Sequence, residues 1–499
     1  MSKISRRSLL SSGAAAGVLA ASGLPVLATP RSGGCLKASV SGASPSDTWD
    51  SRNHSGLFMI TAAHGAVFDC LTEVGPDGAL RGELAESWEA GPDACIWTFN
   101  LRKGVTFHNG KPFNADDVIV SYSLHKDRFS AAAPLVSSIK SFSKISDHQV
   151  QFHLNAPNAD FPYLTSDYHL IIFPANMVEL AIENGIGTGL YKVESFEPGH
   201  RLRACRFADH YKESSAGFFD EIDLVGHLSQ SAGIDGFLNG ETDAISQISP
   251  SDIDKVSQQK LKSVHRIAGN RHCSLLMDTS LTPCDQVVFR QAIKSCIDRA
   301  SLIEKVYYGR ARAGSDSPIG PANQYFASDV TAVEYDLDMA FYCFRKLGIG
   351  NIGLGMPSHA QWDTKEVGLF LAREMEKVGV NVQTGSASSA FHLRSSSGRA
   401  TEDWALSSYF GHGSAQVTNN WAHPNFQNML TTARSELDGN RRRAHYRDIQ
   451  ELMSNDGPMV IPAFSDHCFA TSASLRQPAQ MGNLWAMDDA RMVERWWRA

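Results

Sequence analysis

Gly82-Glu83-Leu84-Ala85-Glu86-Ser87-Trp88-Glu89 is followed by Trp97-Thr98-Phe99-Asn100-Leu101-Arg102-Lys103-Gly104-Val105, and then by Phe107-His108-Asn109-Gly110-Lys111-Pro112-Phe113-Asn114-Ala115-Asp116-Asp117-Val118. Ile96 to Leu101 alternates with period two and puts Trp97, Phe99 and Leu101 on one face, the pattern of a half-buried strand. Val150, Phe152 and Leu154 repeat the alternation. Asn114 is placed to cap a helix from Ala115 to about His125, with Asp116 and Asp117 near its positive end. The block reads as strand, glycine turn, strand and capped helix. His108, just before Lys111-Pro112, reads as a turn residue.

The same alternation of strands and helices continues outward. Asp285 is expected to cap a second helix, with Val288, Ala292, Ile293, Cys296 and Ile297 as its apolar stripe. A third runs from Lys365 to Val378, burying Val367, Phe370, Leu371, Met375 and Val378, and Gly379 stops it. A fourth covers roughly Arg441 to Asn455, with Ile449, Leu452 and Met453 inward and Gly457-Pro458 at its end. No internal repeat or long low-complexity linker interrupts them. Strands interleaved with helices throughout predict an α/β fold.

The composition agrees. The 499 residues are 42% hydrophobic and 20% charged, which excludes a disordered or collagen-like chain. Lys+Arg is 46 against Asp+Glu 53, a net charge of −7 with no basic patch, so no nucleic-acid partner is expected. The nine cysteines are odd in number and irregular in spacing, which argues against a disulfide framework, and Cys296 falls on a core stripe.

Residues 1–28 read as an export signal: Arg6-Arg7 precedes a weakly apolar Ala/Gly/Ser stretch, and Val26-Leu27-Ala28 supplies the small residues for cleavage after Ala28. The paired arginines resemble a twin-arginine signal; a general secretory signal containing two arginines is the alternative. Gly13, Gly17, Gly23 and Pro25 weaken the segment as a membrane anchor. Arg31-Ser32-Gly33-Gly34 before Cys35 lacks the apolar residue of a lipoprotein site. The signal carries Lys3, Arg6 and Arg7 and no acid, so 46 basic residues less these three leave 43 against 53 acids, a balance of −10. A soluble periplasmic protein is expected.

No motif of catalysis is present: no G-x-S-x-G, H-E-x-x-H, P-loop or G-x-G-x-x-G. Cys273, Cys284 and Cys296 are spaced too widely to meet on one element, and nothing fixes His412 and His423 as a metal pair. No cofactor and no metal are expected.

The opening block resembles that of family 5 extracellular solute-binding proteins, the peptide-, oligopeptide- and nickel-type receptors of ABC importers. Further stretches are similar in the family's order. Gly187-Thr188-Gly189-Leu190-Tyr191 looks like its G-T-G-P-Y turn, with Leu190 where proline is usual. Arg290-Gln291-Ala292-Ile293 to Ile297-Asp298-Arg299 looks like its R-Q-A … I-D-R helix, Ser317-Pro318-Ile319-Gly320 resembles the loop after it, and Arg441 to Pro462 resembles its ending. The resemblance covers about residues 36–499.

It implies a two-lobed periplasmic binding protein fold, class II of the large type, with a hinge between lobes and an extra subdomain in lobe I. Lobe I is then about 36–268 plus 470–499, with the subdomain at 73–186, and lobe II is 269–469. The implied protein is a monomer that encloses a short peptide or related polar solute and delivers it to an ABC permease in the inner membrane. A non-peptide solute (an opine, a glycoside or a chelated metal) is an open alternative, as is a sensory role. A secreted hydrolase using Arg399, Glu402 and Asp403 is the enzyme alternative.

The ligand region implied by the resemblance is Ser396-Ser397-Gly398-Arg399-Ala400-Thr401-Glu402-Asp403-Trp404, which looks like a W-G-G-R-P-T-x-D-W variant with Ser396 where Trp and Ala400 where Pro would stand. Arg399 is then the polar group at the cleft, a planar fork suited to carboxylates. Glu402 and Asp403 are candidates for holding an amine; Arg399–Asp403 pairing within the loop is the alternative. Trp404, Tyr409 and Trp421 are candidates for the pocket wall or for plain core.

Overall fold

The computed structural model describes residues 30–499 apart from 128, 209, 228, 357–361, 386–389 and 411–418; the expected leader at 1–28 and His412 lie outside them. Among the described residues no helix is long and apolar enough to cross a membrane.

One twelve-stranded mixed sheet runs through the molecule. Its middle is an antiparallel pair of long strands, Lys262–Met277 and Ala463–Ser472. On one side Ala244–Ile245, Cys35–Val40, Glu221–Gly226, Arg201–Arg206 and Tyr191–Glu197 follow in order; on the other side Phe391–Ser396, Asn351–Gly355 and Asn381–Thr384 follow. The long pair breaks register between Ala268 and Arg271. An extra residue in a ladder bends the strand locally, and here the packing partner changes as well. Phe469 packs with Leu36, Val40, Leu202 and Trp496 in one core; Cys273, Leu275 and Met277 pack with Phe289, Phe344 and Leu371 in another. The sheet therefore joins two separately packed halves through two strands.

Asn270, fully buried at the break, ties it to the Ala322–Asn323 loop: its Oδ1 accepts from Ala322 N at 2.8 Å and its Nδ2 donates to Asn323 Oδ1 at 2.6 Å. Gly398 lies against it so closely that a Cβ there would stand 2.5 Å from the Asn270 Cβ, and its φ of +87° also favours glycine.

The opening block forms a four-stranded antiparallel sheet, Ala85–Ala90, Ile96–Leu101, Gln149–Leu154 and Ile139–Ser146, over its own core. Trp97, Phe99 and Leu101 are buried, as are Val150, Phe152 and Leu154. The helix is Ala115–Leu124. Asn114 Oδ1 accepts from Asp116 N at 2.9 Å, and Asp117 Oδ2 accepts from Asn114 N at 2.8 Å, a reciprocal cap. Asn114→Ala should lower stability to urea by about 1 kcal/mol; an unchanged midpoint and slope would show that the cap contributes nothing.

His108 lies in the turn expected of it, and the start of the second helix is corrected. His108 is buried, and its ring bonds Gly189 O at 2.8 Å while its N–H bonds Gly187 O at 2.9 Å, so it clamps the Gly187–Gly189 turn to the opening block. The second helix is Val287–Ser295 with Gln286, not Asp285, at its start. Its first turn exposes Val288 and buries Phe289 instead. All nine cysteines are free, and burial pushes the Cys296 thiol up to about 12.

Candidate functional site

A small cavity of about 20 Å³, room for about one water, lies where the two halves meet in this closed arrangement. Ala400 and Trp404 bound it from the middle of the chain; His64, Val74, Ser166, Asp167, Leu484, Trp485, Asp489 and Arg491 bound it from the other half.

The loop before Glu402–Phe410 positions Arg399 and Trp404. The carbonyl of Arg399 accepts from Asn323 Nδ2 at 3.0 Å, so the loop is tied through Asn323 to Asn270 at the strand break. The Arg399 guanidinium lies 5.4 Å from the centre of the Trp404 ring, in cation–π range. Its Nη1 donates to Gly398 O at 2.8 Å; its Nε is buried with no hydrogen-bond partner. Among the described residues it makes no ion pair.

The two acids beside it are engaged elsewhere. Asp403 Oδ1 accepts from Arg434 Nε at 2.9 Å and lies 2.8 Å from Arg434 Nη2, so its partner is Arg434 and not Arg399. Glu402 Oε1 accepts from Tyr325 N at 2.6 Å in a fully buried place. Burial first, then the nearby Asp160, lifts its carboxyl to about 7. Asp160 belongs to the Ala85–Leu154 half and pairs with Arg442 Nη2 at 2.6 Å. In the same place Ala159 N donates to Arg434 O at 2.8 Å. Glu402 and Asp403 thus stand in a contact that holds the halves together beside the cavity.

Tyr409 and Trp421 stand in a hydrophobic cluster with Phe410, Phe426, Leu276 and Phe464. The Tyr409 hydroxyl lies 3.4 Å from His272 Nε2, and Trp421 packs 5.0 Å from Phe426. Of the six residues singled out from the sequence, the structure brings Trp404 to the cavity wall and stacks Arg399 on it.

The opposite wall was not legible beforehand. Met487 to Ala490 pass through four successive left-handed conformations, φ 62°, 61°, 59° and 61°. Each costs roughly 1–2 kcal/mol for a non-glycine residue. Side-chain acceptors offset this: Asp489 Oδ1 takes Leu484 N at 2.7 Å and Asp488 Oδ1 takes Gly482 N at 2.7 Å. The turn delivers Trp485, Asp489 and Arg491 to the cavity. Tyr168 meets Trp485 edge-on at 5.6 Å, extending the aromatic wall.

Arg491 is the centre of a buried ion network. Its Nη1 donates to Glu83 Oε1 at 2.9 Å and to Glu494 Oε2 at 2.7 Å, and its Nη2 lies 2.9 Å from His64 Nε2. Lys212 Nζ reaches Glu73 at 2.8 Å, Glu83 at 3.2 Å and Glu494 at 2.8 Å; Arg495 reaches Glu73 at 2.6 Å. Burial alone would raise the Glu73 carboxyl, but Arg491, Lys212 and Arg495 outweigh it and hold it well below its ordinary value. Carboxylate oxygens of Glu73, Glu83 and Glu494 lie within 4.8 Å of one another, the spacing of a metal cage. Three cations already fill the space between and around them, which makes the cluster a salt-bridge network.

The profile of bacterial extracellular solute-binding proteins, family 5, matches residues 79–434. The dipeptide-binding protein of Escherichia coli K12 is 25% identical over 446 residues, which is 79% of this chain and 82% of that protein. Among solved structures, AgaA of A. tumefaciens R10 in complex with agropinic acid superposes with a TM-score of 0.81 at 20% identity, covering 93% of this chain and 99% of that one. DppA of Helicobacter pylori in complex with the peptide STSA superposes with a TM-score of 0.80 at 19% identity, covering 94% and 99%. The fold is the two-lobed one of these structures, and the chain belongs to the bacterial extracellular solute-binding proteins of family 5.

Proposed function

We propose that the protein is a periplasmic receptor that encloses a short peptide or related polar solute between its lobes and hands it to an ABC permease. The observation that carries this is Arg399, stacked on a cavity-wall tryptophan and, among the described residues, without an ion pair and with its buried Nε unbonded. A buried donor left unpaired costs about 1–3 kcal/mol, and a ligand carboxylate supplies what it lacks. The same anchor fits a carboxylated non-peptide solute, the ligand class of the agropinic-acid receptor. We place lobe I at 36–268 plus 470–499, with its subdomain at 73–186, and lobe II at 269–469. Residues 1–28 act as a twin-arginine export signal. The receptor works as a monomer, retains its ligand unchanged, and closes about the strand break because each lobe supplies part of the site.

The test is a thermal-shift screen of the mature protein against peptide and metabolite pools. A ligand at 100 times its Kd should add about 2.7 kcal/mol of stability. Arg399→Ala should weaken the hit by about 10- to 100-fold and leave the melting temperature of the free protein in place. Turnover of the hit would sink the receptor reading; unchanged affinity would remove Arg399 from the site.

A further inference from the structure

Two polar atoms on the lobe I side of the cavity are buried without a partner. Asp167, 1% exposed, accepts His169 N and Nδ1 on its Oδ1 at 2.9 and 2.6 Å; among the described residues its Oδ2 has no hydrogen-bond partner. His64, 5% exposed, has Arg491 Nη2 at 2.9 Å from its Nε2, while its Nδ1 is unpartnered. Burial and the adjacent Arg491 keep that ring neutral. An arginine only donates, so Nε2 is the acceptor and Nδ1 carries the proton. The wall therefore offers one carboxylate oxygen and one ring N–H that have no partner among the described residues. The two residues are linked through Cys70, whose Sγ reaches Asp167 O at 3.3 Å and lies in the same group of atoms as the His64 ring. Trp404 and Trp485 bound the same space, and aromatic faces attract a cation.

We propose that Asp167 Oδ2 accepts the ammonium group of the ligand, with His64 Nδ1–H on the neighbouring ligand oxygen. The amine-holding acid then sits in lobe I, and Glu402 and Asp403, committed to Tyr325 and Arg434, do not serve. With Arg399 on the lobe II side, the ligand class is an α-amino acid derivative with a free amine and an acidic group, spanning the cleft. The inference rests on the receptor reading above and specifies how that receptor orients its ligand.

The test uses a library of free L-dipeptides and the same library N-acetylated, which removes the ammonium charge. Binding to the mature protein is read by retained mass after desalting and then by calorimetry on the strongest member. The expected result is at least tenfold weaker binding after acetylation, and for Asp167→Asn a loss of at least tenfold for the free peptide with no change for the acetylated one. Equal binding of free and acetylated peptide overturns the assignment while leaving a receptor in place. So does an unchanged free-to-acetylated ratio in D167N, which would make the acetyl effect steric. Retention of nothing from either library overturns the peptide-receptor reading and this assignment with it. Should D167N fail to fold, the acetylation comparison on the natural protein decides.

Discussion

Arg491→Met should lower the unfolding free energy by about 3–5 kcal/mol, the loss expected when a buried ion pair is broken from one side. Methionine keeps an unbranched, polarisable chain along the arginine stem and ends short of the guanidinium nitrogens, so the change removes the charge and its donors. Three carboxylates, Glu73, Glu83 and Glu494, face Arg491, Lys212 and Arg495. With Arg491 gone, Glu83 keeps Lys212, at 3.2 Å, as its one charge partner among the described residues, in a fully buried place. His64 also loses the donor that fixes its tautomer. Burial already lifts the Glu83 carboxyl to about 7 against the pull of Arg491, so without Arg491 it must take up a proton; the double variant Arg491→Met, Glu83→Gln should recover part of the loss by removing that need, and pairs in one network are not additive. Chemical denaturation of the four proteins closes the cycle. A loss below about 1 kcal/mol for the single variant, well under the cost of breaking a buried pair, would mean that water or Lys212 replaces the guanidinium and that the network is peripheral to stability.

How much of this was legible follows from where each signal lives. The strands at Ile96–Leu101 and Gln149–Leu154 stand out because one buried face imposes period two on consecutive residues. The helix over Trp362–Lys377 starts one turn earlier than its apolar stripe suggests, because its first turn opens on Trp362 and Asp363 and not on the stripe. The loop at Arg399 was legible through its motif, but the fate of its acids was not: Asp403 is claimed by Arg434, 31 positions on, across a pair of helices. The lobe I wall was beyond local pattern altogether. His64 and Arg491 are 427 positions apart, and their contact comes from Met492–Arg495 packing on the helical segment Ile60–Val67. Sequence periodicity reports which side of an element is buried; it is silent on which charged residue meets which once distant elements stack.

Glu402→Gln should change the pH dependence of stability by about 3 kcal/mol. In the folded protein Glu402 titrates at about 7, against 4.5 for the ordinary side chain, chiefly through burial and next through Asp160. An acid with a raised folded pKa holds its proton where the unfolded chain has lost it. Its contribution is therefore neutral below about pH 4.5, falls as pH rises from there, and levels off above about pH 7. Each tenfold difference in proton affinity is worth about 1.4 kcal/mol, which gives the size stated. Arg442 and the Tyr325 N–H bond oppose the rise and do not cancel it. Gln is isosteric, and its carbonyl can still accept from Tyr325 N, so the variant and the natural protein should be about equally stable at pH 4. At pH 8 the variant should be the more stable by roughly 3 kcal/mol. Asp160 and Glu402 come from opposite halves, so the same repulsion works against closure at alkaline pH, and ligand affinity at pH 8 should rise in E402Q. Parallel stability curves for the two proteins from pH 4 to pH 8 would show that Glu402 is already solvated or paired, and that the charge contact between the halves is carried by Asp160–Arg442 and Asp403–Arg434 alone.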